Sequence, residues 1–293
     1  MKRLVFIVLL LLSVKFALAQ YDPLYWEIKP KNSTKTSYLL GVPYVLCANQ
    51  LVFGDAEKQM MLEAEQIFFQ SDISSPEFMT SILAYKNQHK GFELKKIYSP
   101  EEYLFLASFC KDSLGVDINN IQDNYQLFSL IISKSVGCDP QSAETPLIRY
   151  AIENNKKIIE LESPTAIFEQ LDKISSKDRA ACFLNFVKSY NTANTGFRKV
   201  KNIYASPSEI DFKYVKGIAT YFSKAHYKYL VEDRAKNWTS KMQMALKDKA
   251  SFVVVPMYLL PGKKGILKQL EERGFEIKAV NPNLRENIFV QNE

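Results

Sequence analysis

The segment from Ser251 to Val280 constrains the fold more than any other part of the chain. It opens with Ser251-Phe-Val-Val-Val-Pro256, an unbroken apolar run rich in β-branched residues, which reads as a strand buried on both faces. Pro261-Gly262-Lys-Lys-Gly265 then reads as a turn, Ile266 to Glu272 as an amphipathic helix, Gly274 as its stop and Phe275 to Val280 as a second strand. A strand hidden on both faces needs strand neighbours and covering helices, so the segment predicts part of a layered sheet. It contains no histidine.

The rest of the chain continues the alternation. Tyr25 to Ile28 and Ser37 to Cys47 read as two strands of a hairpin joined by a polar turn. Met60, Met61, Ala64 and Ile67 recur at helical spacing, and Ile67-Phe-Phe69 continues into a short buried strand. Ser75-Pro76 and Ser99-Pro100 each open a helix, with serine as N-cap, proline in the first turn and a glutamate behind it. Helices are predicted over 100 to about 111, 125–136, 144–154 and 177–190, and a strand over 156–161. Residues 191–207 read as a connecting loop, 210–246 as a long helical stretch broken near Gly217 and Asp233, and 281–293 as a polar tail. No tandem repeat or heptad run appears, which excludes solenoids and coiled coils. Strands at both ends and in the middle, separated by helices, predict an α/β or α+β layered fold, a central sheet flanked by helices.

Residues 1–19 carry Lys2 and Arg3, an apolar run from Leu4 to Leu12, and Ala17-Leu18-Ala19 before Gln20. This is the pattern of a cleaved secretory signal peptide, and the apolar run is too short to span a bilayer. The expectation is a single domain over 20–293, exported, with no transmembrane segment in the mature chain. Three of the positive charges behind the formal +6 lie in that leader (Lys2, Arg3, Lys15), leaving +3. The remaining basic residues are mixed with acids rather than gathered into a stripe, which argues against nucleic acid as a partner. Four cysteines, Cys47, Cys110, Cys138 and Cys182, in a chain bound for an oxidising compartment permit disulfides, with free buried thiols as the alternative.

Run without gaps, the closing segment resembles that of the TraB/GumN family, a Tiki-like metallohydrolase clan, whose wording is V-G-A-x-H-L-P-G-x-x-G. Pro256 stands for its glycine and Leu259 for its histidine. Trp26-Glu-Ile28 and Ser37-Tyr-Leu-Leu-Gly41-Val-Pro-Tyr44-Val-Leu-Cys47 resemble the family's W-E-(I/V) and S-Y-L-(F/L)-G-T-(I/M)-H-x-x-C, with Gly41 kept and Tyr44 at the histidine. Ile67-Phe-Phe-Gln70-Ser-Asp72 matches (V/I)-x-x-E-x-D with Gln70 at the glutamate, and Leu161-Glu162-Ser163 matches L-E-(T/S). Val231 to Trp238 resembles x-x-R-N-x-x-W, keeping Arg234 and Trp238. The resemblance implies a TraB/GumN-like fold with a mixed sheet. It also implies a family chemistry of metal-dependent hydrolysis built on two histidines and an acid, with Arg234 facing the site, and it favours Cys47 to Cys138 if one disulfide forms.

The substitutions decide the functional expectation. A divalent transition metal needs imidazole, thiolate or carboxylate ligands. Leu259 has no lone pair, Gln70 offers a neutral carbonyl, and Tyr44 would bind a metal well only after losing a proton held with a reference pKa near 10. The expected protein is therefore a periplasmic or secreted relative, with a bacterial envelope implied, that holds no metal or cofactor and binds a peptide, glycan or protein partner. The alternative is a hydrolase or peptidase rebuilt without metal from Tyr44, Glu162, Arg234 and Tyr258 in the same cleft, tyrosine serving as acid or base.

Only two histidines exist. His89 sits in a polar loop, and His226 has its nearest same-face acid, Asp233, about 10 Å along the helix, too far to share a small ion comfortably. Arg234 has an anion-binding reading and a structural one, in which the guanidinium stacks along Trp238 or pairs with a buried acid such as Glu162. Gly41 and Gly262 read as backbone features, a close approach and a turn.

Overall fold

Strand β7, Ser251–Pro256, is buried at all six positions and occupies the interior of a six-stranded sheet. This computed structural model describes residues 25–43, 45–47, 54–88, 94–121, 124–136, 140–190 and 223–280. The other strands of the sheet are β1 Tyr25–Pro30, β2 Ser37–Val42, β4 Gln66–Phe69, β6 Lys157–Glu160 and β8 Phe275–Val280. Their order is β6-β4-β7-β2-β1-β8. β7 pairs parallel with both β4 and β2, β6 pairs parallel with β4, and β1 runs antiparallel between β2 and β8. Five strands therefore run one way and β1 the other, which makes the sheet mixed.

The continuous apolar run of β7 has its cause in that position. Phe252, Val253, Val254 and Val255 are wholly buried, each worth about 1.5–3 kcal/mol against exposure. Pro256 has no N–H to give the ladder and sits at the last pair, opposite Val42. The chain then makes a single 3-10 turn at Met257–Leu259, bends at Gly262 with φ 96, and forms the short helix Ile266–Glu272. Gly274, φ 87, ends that helix and releases β8 to the far edge of the sheet. The strand, turn, helix, glycine, strand order read from sequence is the order found.

Helices cover the sheet: α1 Asp55–Glu63, α2 Pro76–Gln88, α3 Leu94–Ile97, α4 Pro100–Phe109, α5 Asn124–Val136, α6 Thr145–Glu153, α7 Ala166–Asp172, α8 Ser176–Lys188, α9 Lys224–Tyr227, α10 Asp233–Asp248 and α11 Ile266–Glu272. The main core joins the sheet to α1, α6, α10 and α11, with Met61, Leu147, Trp238, Met242 and Leu270 among its members. A second apolar cluster gathers Leu106, Leu127, Ile131, Phe183 and Phe186 from α4, α5 and α8. Ser99 caps α4 as expected, and its oxygen accepts from the Glu102 N–H while the Glu102 carboxylate accepts from the Ser99 N–H. Among the described residues no helix is long and apolar enough to cross a membrane.

Three readings change. The stretch 37–47 is not one strand of a hairpin: Pro43 separates β2 from β3, Val45–Cys47, which leaves the main sheet to pair with β5, Pro140–Ser142. No break occurs at Asp233, because a π turn at Lys228–Glu232 absorbs the irregularity and α9 runs through it into α10. A second π turn, Cys110–Leu114, prolongs α4 to the left-handed Gly115. Cys110 and Cys182 are buried thiols, and among the described residues no disulfide is present. The leader 1–19, Tyr44, His89, Cys138, 191–222 and the tail 281–293 lie outside the described residues, as does the side chain of Cys47.

Candidate functional site

Four parallel strands, β6, β4, β7 and β2, end on the same side of the sheet, which is where ligands of open α/β sheets gather. Gln70 follows β4, Glu162 follows β6, and Tyr258 and Leu259 follow β7. Two bonds carry the β4–β6 pairing past its formal end: Leu161 N–H donates to Phe69 O at 2.8 Å and Glu162 N–H to Gln70 O at 2.9 Å. Ser71 Oγ then donates to Glu162 O at 3.1 Å. Glu162 is thereby fixed beside Gln70 with its side chain facing α10.

Glu162 is the hub of the site. Its Oε1 accepts from Arg234 Nη2 at 2.7 Å, and its Oε2 accepts from Arg234 Nε and from Trp238 Nε1, both at 3.0 Å. Arg234 Nη1 donates to the Tyr258 hydroxyl oxygen at 2.6 Å and to Leu230 O at 3.4 Å. The Arg234 guanidinium also lies 4.7 Å from the Trp238 ring centroid, the product of their one-turn spacing on α10. The side chains of Arg234 and Glu162 are 1% and 8% exposed. Burial alone would weaken the charge on Arg234, but Tyr258 and Glu162 outweigh it and hold the guanidinium protonated. Every guanidinium nitrogen is thus committed within the fold, which leaves no open face for the anion that the sequence reading entertained.

Glu144, just before α6, is a member that sequence reasoning missed. It is 6% exposed. Burial pushes its carboxyl up to about 8 and the neighbouring Glu162 charge pushes the same way, while Arg234 and the Gln70 backbone N–H pull it down. One guanidinium serves two carboxyls here, so Glu144 is largely a neutral acid at pH 7. In sequence it looks like an ordinary acid at a helix start, beside Thr145-Pro146. No local pattern separates it from a solvated one.

The remaining candidates fall in distinct places. Tyr258 is half-buried with its oxygen on Arg234, and Gln70 is half-buried. Leu259 is 0% exposed and packed into the main core. Tyr44 lies outside the described residues. Gly41 is explained by contact, since a Cβ there would meet Leu260 Cδ1 at 2.6 Å and Met257 Cβ at 3.4 Å. His226 is buried at the start of α9, with its Nδ1 2.8 Å from Ser223 Oγ. Burial first, then Arg179, lowers the His226 pKa against a smaller opposing effect of Asp178.

A divalent metal of the kind the resemblance implies does not fit this donor set. Leu259 presents an alkyl group, Gln70 an amide, and both Glu162 oxygens are occupied by Arg234 and Trp238. Among the described residues no group of three or more histidine, cysteine, aspartate or glutamate side chains is placed to hold an ion.

Comparison with known proteins agrees with the phrases that the sequence carries. A family model described as TraB/PrgY/gumN matches residues 24–279. No curated protein and no solved structure matches.

Proposed function

The chain belongs to the TraB/PrgY/gumN family, and from that premise we propose that it is an exported member which has given up metal-dependent hydrolysis and acts by binding a peptide, glycan or protein partner at the carboxyl ends of the parallel strands. One observation carries the reading. The position of the second motif histidine is held by Leu259, an alkyl side chain sealed in the core, so restoring coordination there would require a buried core position to become a ligand. Gln70 removes the acid at a second position, and the Glu162 carboxylate at the adjacent strand end is engaged by Arg234. Export through the leader ending at Ala19 belongs to the same reading. Elemental analysis of protein purified without chelator tests it: less than a tenth of an equivalent of zinc, manganese or cobalt is expected, and a full equivalent would overturn it.

A second reading is favoured by Glu144. A neutral buried acid beside the Glu162–Arg234 pair, with the half-buried Tyr258 hydroxyl on the same guanidinium, is a stock of protons that a hydrolase rebuilt without metal would need. Incubation with a peptide and a glycan library in the presence of a chelator distinguishes the two. Turnover that survives the chelator and disappears in Tyr258→Phe supports the rebuilt enzyme, and absence of turnover supports the binding protein.

A further inference from the structure

β8 closes one side of the sheet. It pairs with β1 over all six residues, Phe275 to Val280, and among the described residues no backbone group bonds to its other edge. An open edge strand is a template for a further strand, and most proteins block it with charges. The charges on β8 have a pattern that does not block every approach. Glu276 and Lys278 are exposed two residues apart, hence on one face, with Ile277 on the other. Across the existing ladder each already faces the opposite sign, Lys29 opposite Glu276 and Glu27 opposite Lys278.

We propose that β8 pairs antiparallel with β8 of a second copy of this chain, about a two-fold axis through Ile277, so that two sheets become one. In that register Glu276 of each copy lies opposite Lys278 of the other. The row across the joint then reads Glu27, Lys278, Glu276, Lys29, alternating in sign over four strands. Opposite charges directly across a ladder stabilise it and like charges destabilise it, so the pattern selects this register. A slip of two residues sets Glu276 against Glu276 or Lys278 against Lys278. A slip of one turns the charged face of one copy to the Ile277 face of the other. An edge bearing one sign would reject its own copy in every register, whereas this edge accepts it in one. The contact is isologous and closes as a dimer, with each ion pair formed twice. A six-residue ribbon is smaller than the interface of a permanent complex, so the association is weak and depends on concentration.

Sedimentation at protein concentrations up to about 0.1 mM, chosen for an interface of this small class, tests the proposal. Wild type is expected to dimerise reversibly. K278E and E276K, each alone, set like charges opposite one another twice over and should lower the association constant by about tenfold or more. An equimolar mixture of the two variants restores opposite signs at both pairs across the joint, while the pair with Glu27 inside one copy and the pair with Lys29 inside the other stay like-signed, so it should dimerise more tightly than either variant alone. Backbone amides of β8 in the wild type should also exchange more slowly at high than at low concentration, which checks the same contact without substitution. A wild type that stays monomeric with unchanged exchange, single variants that dimerise as well as wild type, or a mixture that dimerises no more tightly than either variant would each overturn it.

Discussion

Arg234 and Glu162 meet as a two-pronged ion pair, 2.7 and 3.0 Å between their atoms, sealed from water at the carboxyl ends of β4 and β6. Two charges taken out of water are tolerated because each is held by several partners: the second prong, Trp238 Nε1, Tyr258 and the Leu230 carbonyl. The pair ties α10 to the end of β6, where resemblance to relatives places the chemistry. It organises the site and also uses up the groups that an ion or an anionic ligand would need.

Breaking that pair from one side should therefore cost more than deleting it. Glu162→Leu and Arg234→Met are each expected to lower the unfolding free energy by about 3–5 kcal/mol, because each strands a buried charge. The double variant, Glu162→Leu with Arg234→Met, is expected to lose less than either single one. Urea unfolding of the three proteins checks this, and losses that simply add would show that the two residues act separately.

Glu144 makes stability fall with rising pH. Its carboxyl titrates near 8 when folded against 4.5 in the unconstrained group, so between those values the folded chain holds a proton that the unfolded chain has released. The contribution is fully favourable below about pH 4.5, declines as pH rises, and levels off above about 8. Glu144→Gln keeps an acceptor for the Gln70 N–H and cannot ionise. It should match wild type near pH 4.5 and exceed it above pH 8 by an amount on the order of a few kcal/mol. Thermal melts from pH 4 to 9 read the difference, and two parallel curves would show that Glu144 is not the titrating group.

His226 acts in the opposite direction. Burial and Arg179 lower its pKa below 6.5, so the folded chain prefers the neutral ring. Its contribution is complete above about pH 6.5 and is lost as pH falls toward the lowered value. His226→Asn should flatten the acid side of the melting-temperature profile while leaving the profile above pH 7 parallel to wild type. An unchanged acid limb would place the sensitivity elsewhere.

What could be read from sequence divides along physical lines. β7 and β8 were legible because an unalternating β-branched run, a glycine turn and a terminating Gly274 each act locally. The Ser99 cap was legible for the same reason. β3 and β5 were not, since strands of three residues carry no period and their pairing depends on where Pro43 releases the chain from β2. The break expected near Asp233 is instead a π turn, Lys228–Glu232, through which helical hydrogen bonding continues, and nothing in composition marks it. At the site, stacking on Trp238 and pairing with Glu162 were the structural alternatives for Arg234, and both contacts are present at once. Glu144 stayed hidden because its raised pKa comes from burial among side chains far away in sequence, which nothing beside it announces.

The central claim is that this side of the sheet no longer coordinates a metal. Calorimetric titration of zinc and manganese into the wild type and into a Gln70→Glu, Leu259→His variant tests it most directly. No saturable one-to-one binding is expected for wild type with either ion. A single wild-type site of micromolar affinity or better, weakened by Gln70→Ala, would contradict the account.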